Sequence, residues 1–190
     1  MTPLENRLHY PLGDQLPAPG DTLEVSPGVF WLRMGLPFAL DHINLWLLAD
    51  TEETPTGVRH GWTVVDCGID NPATRQAWAQ IEQNVLQGLP ILRVLVTHMH
   101  PDHLGLGHWL CERWQAQLWI SFTDYQAAVL ATLHRDSFGG DAAAAFFQRH
   151  GLHDKASLAQ VRGRSTYYAG MVPKIPAQFH RLQDEQAVVI

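Results

Sequence analysis

The sequence lacks a long hydrophobic run, a set of cysteines and an excess of basic charge. Its longest apolar stretch, residues 43–49, is far shorter than the ~20 residues that a membrane-spanning helix needs. Only Cys67 and Cys111 are present among 190 residues, which is too few for a disulfide framework. The net charge is −6, whereas nucleic-acid binding needs a concentrated basic patch. We therefore expect no membrane span, no disulfide framework and no nucleic-acid partner.

The N-terminal region also lacks the pattern of a secretory signal, an apolar run between a basic start and a small-residue cleavage site. We therefore expect a cytoplasmic protein with reduced thiols. Pro and Gly are concentrated before residue 21, which predicts an N-terminal arm over 1–21 and one domain over 22–190. The composition, 46% hydrophobic and 17% charged, is typical of a globular domain.

Short apolar segments and turn signals alternate in the first third of the chain, and a mixed α/β pattern follows. Residues 22–34, 43–49 and 62–65 predict an antiparallel meander. The segment 91–97 is apolar at nearly every position, as in a strand buried on both faces. The remaining predictions are helices over 72–87, 104–114, 123–134, 141–150 and 157–171, and strands over 117–121 and 187–190.

Four side chains that can bind metal follow the strand over 91–97 within six residues. Side chains at positions i and i+2 of an extended segment point to the same face, so His98 and His100 can bind one ion at ~2.0–2.1 Å. Pro101 then turns the chain, which can bring Asp102 and His103 to a second ion ~3.5–4 Å away. The alternative is a polar loop that caps the next helix. Three crowded imidazoles would repel one another when charged, and this favours a bound cation.

The pattern H-x-H-x-D-H after an apolar strand resembles the first metal-binding motif of the metallo-β-lactamase superfamily. Residues 62–68 (WTVVDCG) are similar to the superfamily strand that ends in Asp-x-Gly, and residues 42–47 (HINLWL) to its earlier Asn-bearing strand. The resemblance covers approximately residue 22 to the C-terminus. It implies a four-layer αββα sandwich, with the metal site at one edge between the sheets.

The resemblance also implies a metal-dependent hydrolase that acts on a small ester, thioester, lactone or amide through a metal-bound hydroxide. One or two zinc ions are expected, the first held by His98 and His100 and the second by Asp102 and His103. Asp102 would also orient the nucleophilic water. Asp66 is either a turn residue or the acceptor that fixes the tautomer of a ligand imidazole. Substrate-binding residues stay open, with Phe38 and Trp31 as candidates to flank the pocket.

Two alternatives remain, a mononuclear iron dioxygenase of the same fold and a non-catalytic fragment with an incomplete metal site. Complete members of the superfamily add a Gly-His motif at the end of a strand, a bridging Asp and a last His. After His103 the pair Gly107-His108 lies within the predicted helix over 104–114, and no Gly-His follows a predicted strand. Two ligands per ion are fewer than the three protein ligands that zinc sites usually have. We therefore expect weak metal binding, a sandwich truncated on its C-terminal side, and self-association through an exposed sheet.

Overall fold

A single seven-stranded sheet organises the part of the chain that the computed structural model describes, residues 7–133 and 139–190. The strands lie side by side in chain order. The first four pair antiparallel, and the last three each pair parallel to the strand before. They are β1 (Leu23–Ser26), β2 (Val29–Gly35), β3 (His42–Thr54), β4 (Gly57–Val65), β5 (Ile91–Leu95), β6 (Gln117–Ser121) and β7 (Phe179–Leu182).

The antiparallel half agrees with the predicted meander, but β3 and β4 are longer than their apolar segments. Both strands continue into a hairpin that closes where the Thr54 hydroxyl donates to the Gly57 carbonyl oxygen at 2.7 Å. The hairpin end is polar and exposed, so hydrophobic patterning does not reveal it.

In the described part of the chain, seven helices lie in the connections between β4 and β7. Asn71 caps the first helix by accepting a hydrogen bond from the Thr74 amide, and Pro72 occupies its first turn. This start agrees with the prediction, while the helix ends about a turn earlier. The helices are α1 (Pro72–Asn84), α2 (Pro101–Leu104), α3 (Gly107–Trp114), α4 (Phe122–Leu133), α5 (Gly140–Arg149), α6 (Lys155–Gly163) and α7 (Tyr167–Met171), and a 3₁₀ turn (Arg164–Thr166) joins the last two.

The hydrophobic core lies between one face of the sheet and these helices. Leu32, Leu45 and Val94 of the sheet are fully buried there, together with Trp78 of α1 and Leu110 of α3. Burying an aliphatic side chain of this size contributes roughly 1.5–3 kcal/mol to stability. The core therefore fixes the helices against the sheet and sets the positions of the loops at its edge.

The opposite face of the sheet carries a row of large side chains that are only partly covered. We call it the open face and define it by Trp31, Trp46, Leu48, Val65, Leu95 and Trp119, which alternate with the core residues along β2 to β6. Trp46 is 36% exposed. The described residues thus form one sheet with helices on one face. The mixed α/β class is confirmed, and these residues do not include the second sheet of a four-layer sandwich.

A correction concerns the C-terminal strand. Residues 187–190 are not a strand, and the last strand is β7, which ends before them. Sequence patterning missed β7 because His180 and Arg181 interrupt its apolar character. Residues 187–190 instead contact the sheet through Arg93 of β5, which donates a hydrogen bond to the Val189 carbonyl oxygen at 3.1 Å.

Candidate metal centre

The predicted metal-binding residues lie where β4 and β5 end. These strands are parallel neighbours, so their carboxyl ends deliver Asp66 and Thr97 to the same edge of the sheet. The Asp66 carboxylate accepts a hydrogen bond from the Thr97 amide at 2.8 Å and another from its hydroxyl at 2.8 Å. Asp66 adopts φ 63°, a left-handed conformation that Asp tolerates better than most residues. The backbone at this point therefore directs a buried carboxylate toward residues 98–103, which we call the histidine loop.

Backbone contacts hold the histidine loop and the loop after β4 together. The Cys67 amide donates to the His103 carbonyl oxygen at 2.7 Å, and the Leu106 amide donates to the Gly68 carbonyl oxygen at 3.1 Å. Gly105 lies at the closest approach, since a Cβ there would come within 2.8 Å of the Asp70 amide nitrogen and 2.9 Å of the Gly68 carbonyl oxygen. Only glycine fits this position, so the H-x-H-x-D-H-x-G spacing is a requirement of local packing.

The four predicted ligands form two pairs of neighbouring donor atoms. His98 Nε2 lies 3.0 Å from His100 Nδ1, and His103 Nε2 lies 3.4 Å from Asp102 Oδ2. Ligands bound tetrahedrally to zinc at ~2.0–2.1 Å are about 3.3 Å apart, so each pair has the separation that two ligands of one ion need. The His98 and His103 rings lie 3.8 Å apart between centroids, so the pairs are adjacent. The structure thus brings together all four residues, in the pairs that the sequence predicted.

Asp66 lies against the second pair. Its Oδ2 is 2.8 Å from His103 Nδ1, which identifies Nδ1–H as the donor and leaves His103 Nε2 turned toward Asp102. Ligand histidines usually donate their other ring N–H to such a partner, which fixes the tautomer. Of the two interpretations of Asp66, the hydrogen-bond acceptor is the one that matches this contact.

The charges in the cluster favour opposite states in neighbouring rings. Burial lowers the pKa of His103, but the hydrogen bonds to Asp102 and Asp66 outweigh burial and raise this pKa to about 9. The hydrogen bond from His103 lowers the pKa of Asp102. Burial, followed by the charges on His103 and His100, lowers the pKa of His98. The lowered pKa favours a neutral His98 imidazole, which is the form that binds metal.

Two residues outside the motif hold Met99, the residue between His98 and His100. Asp124 of α4 accepts a hydrogen bond from the Met99 amide at 3.1 Å, and the Tyr168 hydroxyl of α7 donates to the Met99 carbonyl oxygen at 2.6 Å. Sequence reasoning missed both roles. The only signal was S-x-x-D at Ser121 to Asp124, a helix-capping pattern, and the structure shows that the Ser121 hydroxyl does accept from the Asp124 amide.

Phe38 and Trp31, the two candidates to flank the pocket, lie in different parts of the structure. Phe38, in the loop between β2 and β3, packs against Tyr167 of α7 with ring centroids 6.1 Å apart. Tyr167 lines a cavity next to His100, and Phe38 touches this lining residue without lining the cavity itself. Trp31 lies on the open face instead, and its indole N–H donates to the Asn44 side-chain oxygen at 2.9 Å.

The donor chemistry fits zinc, while the number of donors falls short of a complete site. Imidazole nitrogens and a carboxylate oxygen are ordinary zinc ligands. Across residues 7–133 and 139–190, however, no three His, Cys, Asp or Glu side chains are grouped so as to hold an ion. Cys67 and Cys111 are buried free thiols whose pKa is raised by burial, to about 12 for Cys111, and neither lies in this cluster. The structure thus contains two adjacent pairs of candidate donors, which we call half-sites.

Comparison with known proteins agrees with this motif and this fold. Residues 57–128, which include β4, β5 and the histidine loop, match the family model of the metallo-beta-lactamase superfamily. A crystal structure described as a beta-lactamase domain protein from Burkholderia ambifaria is 50% identical, covers 98% of the chain and superposes with a TM-score of 0.83. The chain belongs to the metallo-β-lactamase superfamily.

A more distant superfamily structure has the same fold. TTHA1429, a metallo-beta-lactamase family protein from Thermus thermophilus, is 22% identical over 88% of the chain with a TM-score of 0.58. No curated protein matches the chain. The chain spans about half the length of both structures, 51% and 50% respectively. In the described part of the chain, no helix is both long enough and apolar enough to cross a membrane.

Proposed function

We propose that the chain supplies the first metal-binding motif of a zinc-dependent hydrolase that acts on a small ester, thioester, lactone or amide. The observation that carries the proposal is the adjacency of two donor pairs, His98 with His100 and Asp102 with His103, at ligand-like separations. Superfamily membership supports a metallo-hydrolase type of activity. The substrate class and the choice of zinc are part of the proposal.

In this proposal His98 Nε2 and His100 Nδ1 hold one zinc ion, while His103 Nε2 and Asp102 Oδ2 hold its neighbour. A zinc ion supplies Lewis acidity, which activates water near neutral pH and polarises a substrate carbonyl. In the hydrolysis, water oxygen bonds to the acyl carbon, the C–O, C–S or C–N bond breaks, and the leaving group takes a proton.

The residues of the chain position this reaction. Asp102 uses Oδ2 toward His103, and its second oxygen, Oδ1, would accept a hydrogen bond from the attacking water and orient it. Asp66 accepts the Nδ1 proton of His103 and holds the ring in place. Asp124 and Tyr168 fix the backbone between His98 and His100, which keeps their two nitrogens together.

Each half-site has two protein donors, and a zinc site usually needs three. This count favours a second candidate, a domain whose metal site is incomplete without donors from elsewhere. We therefore expect weak zinc binding by the 190-residue chain.

Competition with a chromophoric chelator measures this affinity directly. The zinc affinity of the chain should fall at least about tenfold in His98→Ala and in His103→Ala, because each variant leaves a half-site with one donor. His60→Ala, an exposed histidine on β4, is the matched control and should bind zinc like the unmodified chain. Equal zinc affinity in all four proteins would overturn the proposal.

A further inference from the structure

A cavity of about 670 Å³ opens beside the histidine loop. One wall comes from the metal motif, through His100 and Pro101. The other wall comes from the helical segment between β6 and β7, through Arg164, Tyr167 and Tyr168. This volume is in the range of about 300–1,000 Å³ that small-molecule sites have in general. The proposed catalytic groups and the helical segment therefore share one ligand-sized space.

The helical wall is anchored to the motif. The Tyr168 hydroxyl donates to the Met99 carbonyl oxygen at 2.6 Å, which ties α7 to the residue between the two histidines. Phe38, in the loop between β2 and β3, packs against Tyr167. The electrostatics agree with this closeness, since both Arg164 and Asp102 influence the pKa of the Tyr167 phenol, which burial raises overall.

Arg164 is the cation that lines this cavity, and it forms no ion pair with any residue that the structure describes. Its near neighbour Arg162 differs in this respect, because its guanidinium binds Asp141 at 2.8 Å. A guanidinium presents a planar set of donors that matches the oxygens of a carboxylate or phosphate. A cavity lined by aromatic side chains, by one guanidinium outside any described ion pair and by His100 of the first donor pair is suited to an anion with an apolar body.

We propose that this cavity binds the acyl part of a small substrate that carries an oxyanion, a carboxylate or a phosphate. Arg164 binds the oxyanion, Tyr167 and Pro101 contact the apolar body, and the hydrolysable group lies at His100. This inference rests on the proposed function for the reaction at the His100 end. Binding at the Arg164 end is a separate property, which the metal-free chain can report.

The test measures ligand binding to the metal-free chain, and NMR chemical-shift changes are the readout. The probes are 4-phenylbutanoate, phenyl phosphate and the neutral 4-phenylbutanamide. At least one of the two anions should bind at least about tenfold more tightly than the amide, because a charge-assisted contact to Arg164 is lost in the amide. The anion that binds more tightly distinguishes a carboxylate from a phosphate substrate. No binding by either anion, or equal binding of the amide, would overturn the inference.

Two pairs of variants locate the site. Arg164→Gln should weaken anion binding roughly tenfold, while Arg162→Gln, two positions earlier, should leave it unchanged. Gly163 lines the cavity and has open space where a Cβ would project, so Gly163→Leu should fill the cavity and weaken binding of the anion. Gly170→Leu is the matched control, since Gly170 also faces open space but does not line the cavity. Equal effects of a variant and its control would contradict the assignment.

The two proposals fail separately. Zinc affinity is expected to fall in His98→Ala and to be unchanged in Arg164→Gln. Anion binding to the metal-free chain is expected to fall in Arg164→Gln and to be unchanged in His98→Ala. If anion binding is lost in Arg164→Gln while zinc does not bind at all, the hydrolase proposal fails and the anion site stands. If zinc binds through His98 but no anion binds, the anion site fails alone.

Discussion

At the scale of single residues, Asp66 connects the sheet to the candidate metal centre. It is 5% exposed, and its carboxylate is shared between the Thr97 backbone amide, the Thr97 hydroxyl and the His103 ring. A buried carboxylate is stable only when its hydrogen-bonding capacity is used. Asp66 is thus a structural residue of the loop and a positioning residue for His103 at the same time.

Asp66→Asn should lower the free energy of unfolding of the metal-free chain by about 1–3 kcal/mol. The amide keeps the left-handed backbone conformation but turns one acceptor into a donor, so a buried hydrogen bond is lost. Urea denaturation measures the change. Asp41→Asn is the control, because Asp41 also pairs with a histidine, His42, but its side chain is 81% exposed. An unfolding midpoint that is the same for Asp66→Asn and for the unmodified chain would contradict the role given to Asp66.

At the scale of elements, the histidine loop depends on helices that follow it in the chain. α4 binds the Met99 amide through Asp124, and α7 binds the Met99 carbonyl oxygen through Tyr168, which is separated from Met99 by 69 positions. The same loop is fixed from the other side by the backbone of Cys67 and Gly68. The geometry of the two donor pairs therefore depends on α4, on α7 and on the loop after β4, as well as on the motif itself.

Tyr168→Phe should destabilise the chain by about 1–2 kcal/mol, since the Met99 carbonyl oxygen loses a partner in a buried setting. Thermal or urea unfolding gives this value. Tyr167→Phe removes the same hydroxyl from an exposed residue of the same helix, and we expect a change of less than about 0.5 kcal/mol there. Comparable losses in the two variants would mean that the contact to Met99 does not stabilise α7.

Secondary structure was largely predictable wherever hydrophobic patterning or a cap decided it. β6 occupies the residues predicted, and the start of α1 was readable from Asn71-Pro72. The hairpin end of β3 and β4 and the short strand β7 were missed, because both are polar. Their pairing comes from neighbouring strands, which a local pattern does not contain.

At the scale of the whole molecule, the two faces of the sheet differ. One face is buried under helices, and the open face presents Trp46 with 36% of its surface exposed. On this face, Asp50 and Arg93 form a bidentate ion pair. The Thr63 hydroxyl also donates to the Asp50 carboxylate, and Arg93 also donates to the Val189 carbonyl oxygen. Large exposed apolar surfaces usually take part in association with another molecule.

We predict that the 190-residue chain self-associates as its concentration rises, because its open face carries large apolar side chains. Light scattering over a concentration series measures the average mass. Trp46→Lys should shift the chain toward monomer by placing a charge on the open face, whereas Val58→Lys, at an exposed position near the hairpin end, should not. A monomer at every concentration would contradict this prediction.

The sequence by itself determined the superfamily, the order of most elements and the candidate donor residues. It did so because the H-x-H-x-D-H spacing and the apolar strand before it are local features with direct geometric consequences. The tertiary structure decided which atoms pair, which side chains clamp Met99, and which cation lines the cavity. Those contacts join residues up to 69 positions apart, and only the packing of helices against the sheet brings them together.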